Sequence, residues 1–368
     1  MKDVVLQALC VLLATAALSA KADTSGLIVA WGDNGQGQLT LPPGLNRVKA
    51  IAIGRHALAL KLDGTVLAWG DNSLGQTNVP FGLNGVGAIS INGMYSMALK
   101  SNGTVTAWGT ADFGLTNVPP DLTNVTAIAA GSYHAVALKS NGSVVAWGSN
   151  FYGLTNVPPG LSNVTAIAAG SVHVVALKSD GTVVSWGDSS SGQTNVPSGL
   201  SNVIAIAAGS LHTVALKSDG TVVAWGRNTE NQCTIPAGLG NVTAVAAGDY
   251  HTMALISDRS VVAWGLNIYG QTNVPAGLSG VVTIAAFGYD SAALIDTGPP
   301  ITTSLSSGNN LTLRWPASPL SYRVQATPSL SAQNSWTNVP ATFQTNGNFI
   351  SIDVPIPGIQ NFYRLVTP

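Results

Sequence analysis

Five histidines recur at one place in a repeating text: His56, His134, His173, His212 and His251, each 13 residues before a tryptophan. Imidazole titrates near neutral pH and is the commonest metal ligand, so such a ladder first raises metal or acid-base chemistry. The spacing argues against it. Residues one repeat apart lie one structural unit apart, too far to share an ion unless they crowd an axis, and Tyr95 and Asp290 fill the two remaining equivalent places. The reading adopted is a scaffold histidine whose ring nitrogens satisfy the backbone of a loop between strands, with metal ligation as the alternative. Lys61, Lys100, Lys139, Lys178 and Lys217 form a second ladder, each two or three residues from an Asp or Asn. Solvated turns with local charge pairing explain it; a ring that captures anions would be opposed by Asp63, Asp180 and Asp219.

Hydrolysis on such a scaffold requires two carboxylates converging in a funnel, one of them held protonated. Glu230 is the only glutamate, and Asp249 and Asp290 are the acids closest to the histidine-bearing loops. No nucleophile motif and no phosphate-binding loop is present, so no catalytic residue, metal or cofactor is assigned. A funnel-type carbohydrate-active enzyme using Asp249 or Asp290 stands as an alternative. With 8% charged residues and a net charge of -1, the chain offers no basic field for nucleic acid or an anionic membrane.

The elements that carry these residues follow from the repeat. Trp-Gly pairs occur at Trp31, Trp69, Trp108, Trp147, Trp186, Trp225 and Trp264, a period near 39 residues. Strand-like text at that period indicates a propeller or solenoid. The unit from Asn163 to Pro197 divides into four short strands, VTAIAAG, HVVALKS, TVVSWG and QTNVP. Between the second and third, Asp180-Gly181 reads as a two-residue type I′ turn, repeated as Asp63-Gly64, Asn102-Gly103, Asn141-Gly142 and Asp219-Gly220. Four antiparallel strands make a propeller blade. The last repeat stops before its third strand, whereas Leu27 to Gly32 is a third strand without predecessors. The expectation is an all-β chain: a seven-bladed β-propeller over residues 23–298, closed by the N-terminal strand. A linear solenoid would leave both half-blades unpaired.

Trp69-Gly70-Asp71-Asn72-Ser73-Leu74-Gly75-Gln76 and Trp264-Gly265-Leu266-Asn267-Ile268-Tyr269-Gly270-Gln271, combined with G-x-x-H-x-x-A-L, resemble the regulator of chromosome condensation repeat. The resemblance covers about residues 27 to 297 and implies a seven-bladed propeller. The short repeat, the Gln-Thr-x-Val-Pro segments and the leader look most like secreted bacterial members, among them a β-lactamase-inhibitory propeller. The nucleotide-exchange role of nuclear members is not carried over, because no matching functional loop is found, and chromatin binding falls with it.

Residues 1–22 read as a secretory signal: Met1-Lys2-Asp3, an apolar run from Val4 to Leu18, and Ala20-Lys21-Ala22 as the cleavage pattern. Fifteen residues are few for a membrane span. Removal would place the protein outside the cell, free or surface-associated, with Cys233 as its one cysteine and no intramolecular disulfide. Residues 299–368 abandon the repeat after Gly298-Pro299-Pro300 and read as a small β-sandwich, with surface retention, sorting or carbohydrate contact as its roles.

Comparing the repeats with one another separates scaffold from variation. Ala129-Ala130-Gly131 and its copies suit an innermost strand where blades converge, and QTNVP is placed outermost. The loop between strands one and two and the loop after strand three then share one face, and these loops vary. Arg55, Tyr95, Phe113, Tyr133, Phe151, Tyr152, Arg227, Tyr250, Tyr269 and Tyr289 are the candidate binding residues, because aromatics and Arg on a rigid scaffold make interface hot spots. Packing of these rings between blades is the alternative. The expected function is a monomeric binding scaffold for a protein or glycan; inhibition of a secreted or periplasmic hydrolase of the β-lactamase type is a further alternative.

Overall fold

The computed structural model describes residues 26–296 and, beyond them, strand segments at 302–306, 310–316, 323–327, 337–338, 344–346, 349–355 and 362–366. Residues 1–22, expected to be a signal segment, lie outside the described residues. One compact unit comprises Ile28–Ile295, and a second holds the strands from Thr302 onward. The first unit is a β-propeller.

Its sheets are antiparallel triads: Val86–Asn92 with Tyr95–Lys100 and Val105–Gly109; Val125–Ala130 with His134–Lys139 and Val144–Gly148; Val164–Ala169 with His173–Lys178 and Val183–Gly187. The pattern continues with Val203–Ala208, His212–Lys217 and Val222–Gly226, then with Val242–Ala247, His251–Ile256 and Val261–Gly265. A six-stranded sheet joins Val48–Ile53, His56–Lys61 and Val66–Gly70 to Val281–Phe287 and Asp290–Asp296, with Gly26–Gly32 bonded beside Asp290–Asp296. The first strand of each triad packs beside the first strand of the next, and Val281–Phe287 packs beside Val48–Ile53. These inner strands line a channel of only about 80 Å³, walled by small side chains such as Ala130, Ala169, Ala208 and Ala247. Small residues are required there because the sheets converge.

The segment QTNVP, expected as a fourth strand, is instead a chain of turns. Asn72 Oδ1 accepts from the Thr77 N–H at 3.0 Å, and the Asn78 N–H donates to the Gly75 carbonyl at 3.0 Å. Asn side chains that bond nearby backbone divert it from a ladder, and the following Pro has no N–H to contribute. The hairpins differ from expectation as well. The Gly181 N–H donates to the Lys178 carbonyl, and the Lys178 N–H to Thr182, both at 2.9 Å. Gly181 has φ +77°, and Asp180 is not among the positive-φ residues. This is a longer loop closed by a left-handed glycine, not a type I′ pair. Lys178 and Lys217 pair locally with Asp180 and Asp219 at 3.0 and 3.1 Å.

Neighbouring sheets are joined by a repeated polar junction set in an apolar layer. Trp186, for instance, packs with Ala129, Leu138 and Ile167 across two triads. Each tryptophan Nε1 donates to a backbone carbonyl of the preceding triad's loop: Trp108 to Gln76, Trp225 to Gln193, Trp264 to Gln232 and Trp31 to Gln271, at 2.9 to 3.0 Å. The same carbonyls accept a hydroxyl from Ser96, Thr213, Thr252 and Ser291. Those hydroxyls lie 2.7 to 3.1 Å from Nε2 of His56, His173, His212 and His251.

The expected histidine partner, loop backbone, is thus corrected to a hydroxyl on the next triad. Because that hydroxyl spends its proton on the carbonyl, Nε2 must be the protonated ring nitrogen, leaving Nδ1 as a lone pair. Nδ1 has no partner among the described residues; in His134 it faces Gly131, where a Cβ would stand only 2.6 Å away. Burial holds His134, His173, His212 and His251 neutral, with pKa values lowered to about 3, and His56 to about 4. Two junctions carry Leu115 and Leu154 in place of Gln, facing Ala135 and Val174 in place of a hydroxyl. His134, opposite Val174, has both ring nitrogens unpartnered.

In the second unit, strands Thr302–Ser306, Asn310–Pro316, Phe349–Pro355 and Gln344–Asn346 form one antiparallel sheet, in that order. Thr337–Asn338, Arg323–Thr327 and Phe362–Val366 form another.

Candidate binding face

The two variable loops of each triad are tied together by a backbone bond that brings them to one face. Ser149 N–H donates to Tyr133 O, Arg227 N–H to Leu211 O, Leu266 N–H to Tyr250 O and Asp71 N–H to Arg55 O, at 2.7 to 3.0 Å. A second tie fixes the tip of the later loop. Gln76 Oε1 accepts from Leu74 N–H, and Gln271 Oε1 from Tyr269 N–H, at 2.8 and 2.9 Å. Leu115 and Leu154 cannot accept this bond. In their loops the chain closes a single 3₁₀ turn, Asp112–Gly114 and Phe151–Gly153. Phe113 and Tyr152 there take φ +57° and +59°, a left-handed conformation that costs a residue with a Cβ about 1–2 kcal/mol.

The candidate residues fall into two aromatic groups. Phe113 meets Tyr133 edge-on, centroids 5.2 Å apart, and Phe151 and Tyr152 stand exposed on the next loop, each more than 60% accessible. In the second group Tyr289 lies 5.1 Å from Tyr269 and 6.0 Å from Tyr250, and the Arg227 guanidinium sits 5.0 Å above the Tyr250 ring. Such cation-π and tilted ring contacts hold the rings in place relative to one another. Tyr95 belongs to neither. It is fully buried, begins a middle strand and donates its hydroxyl to the His134 carbonyl at 2.8 Å. Its position is that of the ladder histidines, so it is scaffold and not part of the face.

Between the loops opens a cavity of about 330 Å³ lined by Asp33, Arg55, Asp71, Leu74, Met94, Asp249, Phe287, Tyr289 and Asp290, among others. Arg55 pairs with Asp71 at 3.6 Å. Burial pushes the Asp71 carboxyl up, but hydrogen bonds from Ser73 and the Arg55 charge more than reverse this and leave it low. Burial raises Asp249 to about 6, against a backbone bond from Gly288. Asp290 rises to about 8, through burial first and then the nearby charges of Asp33 and Asp249, while Gln38 Nε2 donates to Oδ2 at 3.3 Å. Sequence reasoning had singled out Asp249 and Asp290 but missed Asp33 and Asp71. Both stand two residues after a Trp, in the text Trp-Gly-Asp, a signal that was there to read. Among the described residues no group of three or more His, Cys, Asp or Glu is placed to hold a metal ion.

The regulator of chromosome condensation (RCC1) repeat matches at residues 48–76, 125–154, 164–193, 203–232 and 242–271, the five repeats that carry the ladder histidines. No curated protein matches the sequence. Among solved structures, Prp20p from Saccharomyces cerevisiae, described together with its binding to Gsp1p and histones, is similar with a TM-score of 0.65 at 20% identity. The likeness covers 77% of this chain and 94% of that one. The ectodomain of the Physcomitrella patens receptor kinase CR4 is similar with a TM-score of 0.56 at 21% identity, over 70% of this chain and 75% of that one. Human WBSCR16 is similar with a TM-score of 0.58 at 17% identity, over 75% and 99%. At these identities the likeness is one of fold. The five repeat matches show that the chain carries RCC1 repeats, set in a propeller whose fold is similar to that of Prp20p.

Proposed function

We propose that the chain is a secreted, seven-bladed propeller spanning residues 23–298, closed by Gly26–Gly32 and followed by a small β-sandwich, and that its aromatic loop face binds another protein. The observation that carries the binding reading is the pair of left-handed aromatics. Phe113 and Tyr152 hold a strained backbone conformation and present exposed rings. Strain of this kind persists where surrounding structure enforces it and tends to accompany binding sites. Large rings on a rigid scaffold supply contact area at low entropic cost. A secreted hydrolase of the β-lactamase type is one partner of this class, and a glycan is the other ligand class the same rings would accept.

The test is a joint substitution of Tyr133, Tyr152, Tyr250 and Tyr269 by Ala, with binding measured to a partner recovered by pull-down from extracellular fractions. Binding should fall at least a hundredfold while the melting temperature moves by a few degrees. Undiminished binding would remove the face from the assignment. The competing reading, a carbohydrate-active enzyme, requires turnover on a polysaccharide that disappears in both Asp249→Asn and Asp290→Asn.

A further inference from the structure

Asp290 occupies the ladder position that five other triads give to His. In four of those triads the group finds a hydroxyl on the next triad, but the residue facing Asp290 at the corresponding place is Ala57. The carboxyl is only 2% exposed, and its Oδ1 has no hydrogen-bond partner among the described residues. A buried acceptor left unpaired is costly, and the group lines the cavity between the loops, with Tyr289 of the second aromatic group. Asp33 and Asp249 stand beside it, while the one cation in that lining, Arg55, is engaged with Asp71.

Resting on the protein-binding reading above, we propose that this cavity receives a cationic side chain of the partner, a lysine or arginine, with Asp290 as its buried counter-charge. The walls suit such a guest. Leu74, Met94, Phe287 and Tyr289 offer apolar surface to the methylene stem, and the carboxylates of Asp33, Asp249 and Asp290 in the same lining offer partners to the charged head. The cavity of about 330 Å³ gives room for a whole side chain. A guanidinium, with five donors in a planar fork, can satisfy Oδ1 of Asp290 and reach Asp249 together. Anionic guests are opposed by the same carboxylates.

The proposal also fixes a pH dependence. The groups around Asp290 are Asp33, Asp71, Asp249, Arg55 and Tyr289. A guanidinium guest stays charged throughout, so the carboxyls of Asp249 and Asp290 govern binding. Deprotonation creates the counter-charge, and affinity rises from pH 6 to pH 9.

The experiment uses the full mature chain and n-butylguanidinium as probe, with n-butanol as the neutral control, followed by calorimetry and thermal shift. Saturable binding of the cation alone is expected, stronger at pH 9 than at pH 6. Asp290→Asn should weaken it about tenfold and Asp249→Asn by less, both variants keeping a cooperative melt. Equal binding of the neutral control, no binding of the cation, or an unchanged Asp290→Asn overturns the proposal. Tyr152→Ala separates the two readings: it should leave probe binding intact while weakening the protein partner. If the partner still binds Asp290→Asn at full strength, the aromatic face stands and the cation pocket falls.

Discussion

The indole Nε1 of Trp31 donates to the carbonyl of Gln271 at 2.9 Å, joining residues 240 positions apart. It reproduces the bond that Trp225 makes to Gln193 only 32 positions away, so the two ends of the repeat region meet through the same chemistry as its middle. Trp31 also packs with Met253, Val261 and Ile284. Trp31→Ala should therefore cost about 3–5 kcal/mol, the range for deleting a buried aromatic. Trp31→Phe, which keeps most of the bulk and loses the donor, should cost about 1 kcal/mol. Denaturant unfolding followed by fluorescence measures both, and an unchanged midpoint for Trp31→Ala would show that the N-terminal strand contributes nothing to the ring.

A second expectation concerns the hydroxyls of the junctions. Thr213→Val removes the group that links His173 to the Gln193 carbonyl and should destabilise by about 1–3 kcal/mol. Val174→Thr is the converse. The new hydroxyl would face His134 Nε2, which has no partner among the described residues, and would lie near the Leu154 carbonyl already bonded to Trp186. A rise in melting temperature is expected, and a fall would mean that the pocket around His134 tolerates no polar atom.

Stability against pH should be bell-shaped. The ladder histidines have folded pKa values of about 3 to 4, below the unfolded value of about 6.5. The unfolded chain therefore binds more protons between those limits. Their stabilisation is fully present above pH 6.5 and is lost as pH falls, at about 1.4 kcal/mol per pH unit for each ring. Asp290, raised to about 8, acts in the opposite sense: its contribution is full below pH 4 and declines as pH rises towards 8. Melting curves between pH 4 and 9 test both limbs. His173→Gln should flatten the acid limb by one proton, and Asp290→Asn should flatten the alkaline one.

Relief of backbone strain provides a further test. Phe113→Gly and Tyr152→Gly remove the left-handed penalty at φ +57° and +59° and should stabilise the fold by up to about 1 kcal/mol, while weakening the partner bound through these rings. Loss of both stability and binding would indicate that the rings support the loops from within.

Much of this was legible in the residues. The alternation of Val, Ala and Ile around the Trp-Gly pair gives the triads, and Leu27 to Gly32 reads as a third strand awaiting partners. Less legible was anything set by contacts between repeats. Tyr95 looks like a loop-tip aromatic, yet it fills a histidine's buried place because its hydroxyl reaches the His134 carbonyl. The Gln-Thr-Asn-Val-Pro text has strand-like residues, but the upstream Asn72 takes the Thr77 N–H on its side chain and pre-empts a ladder. One coupling runs through the sequence: Gln76, Gln193, Gln232 and Gln271 accompany Ser96, Thr213, Thr252 and Ser291, while Leu115 and Leu154 accompany Ala135 and Val174; Gln38 with Ala57, beside Asp290, is the exception.

That coupling sets how such a chain can change. Since each seam is specified by groups contributed from both of its repeats, a repeat can be exchanged only for one whose glutamine and hydroxyl match its neighbours, whereas the tips above the seam drift freely. Leu154 with Val174 shows the lock and its counterpart shed together, and the loop released from its glutamine clamp is the one that carries Phe151 and Tyr152. Novel recognition would arise in this lineage by simplifying a seam, leaving the rest of the wheel to hold its form.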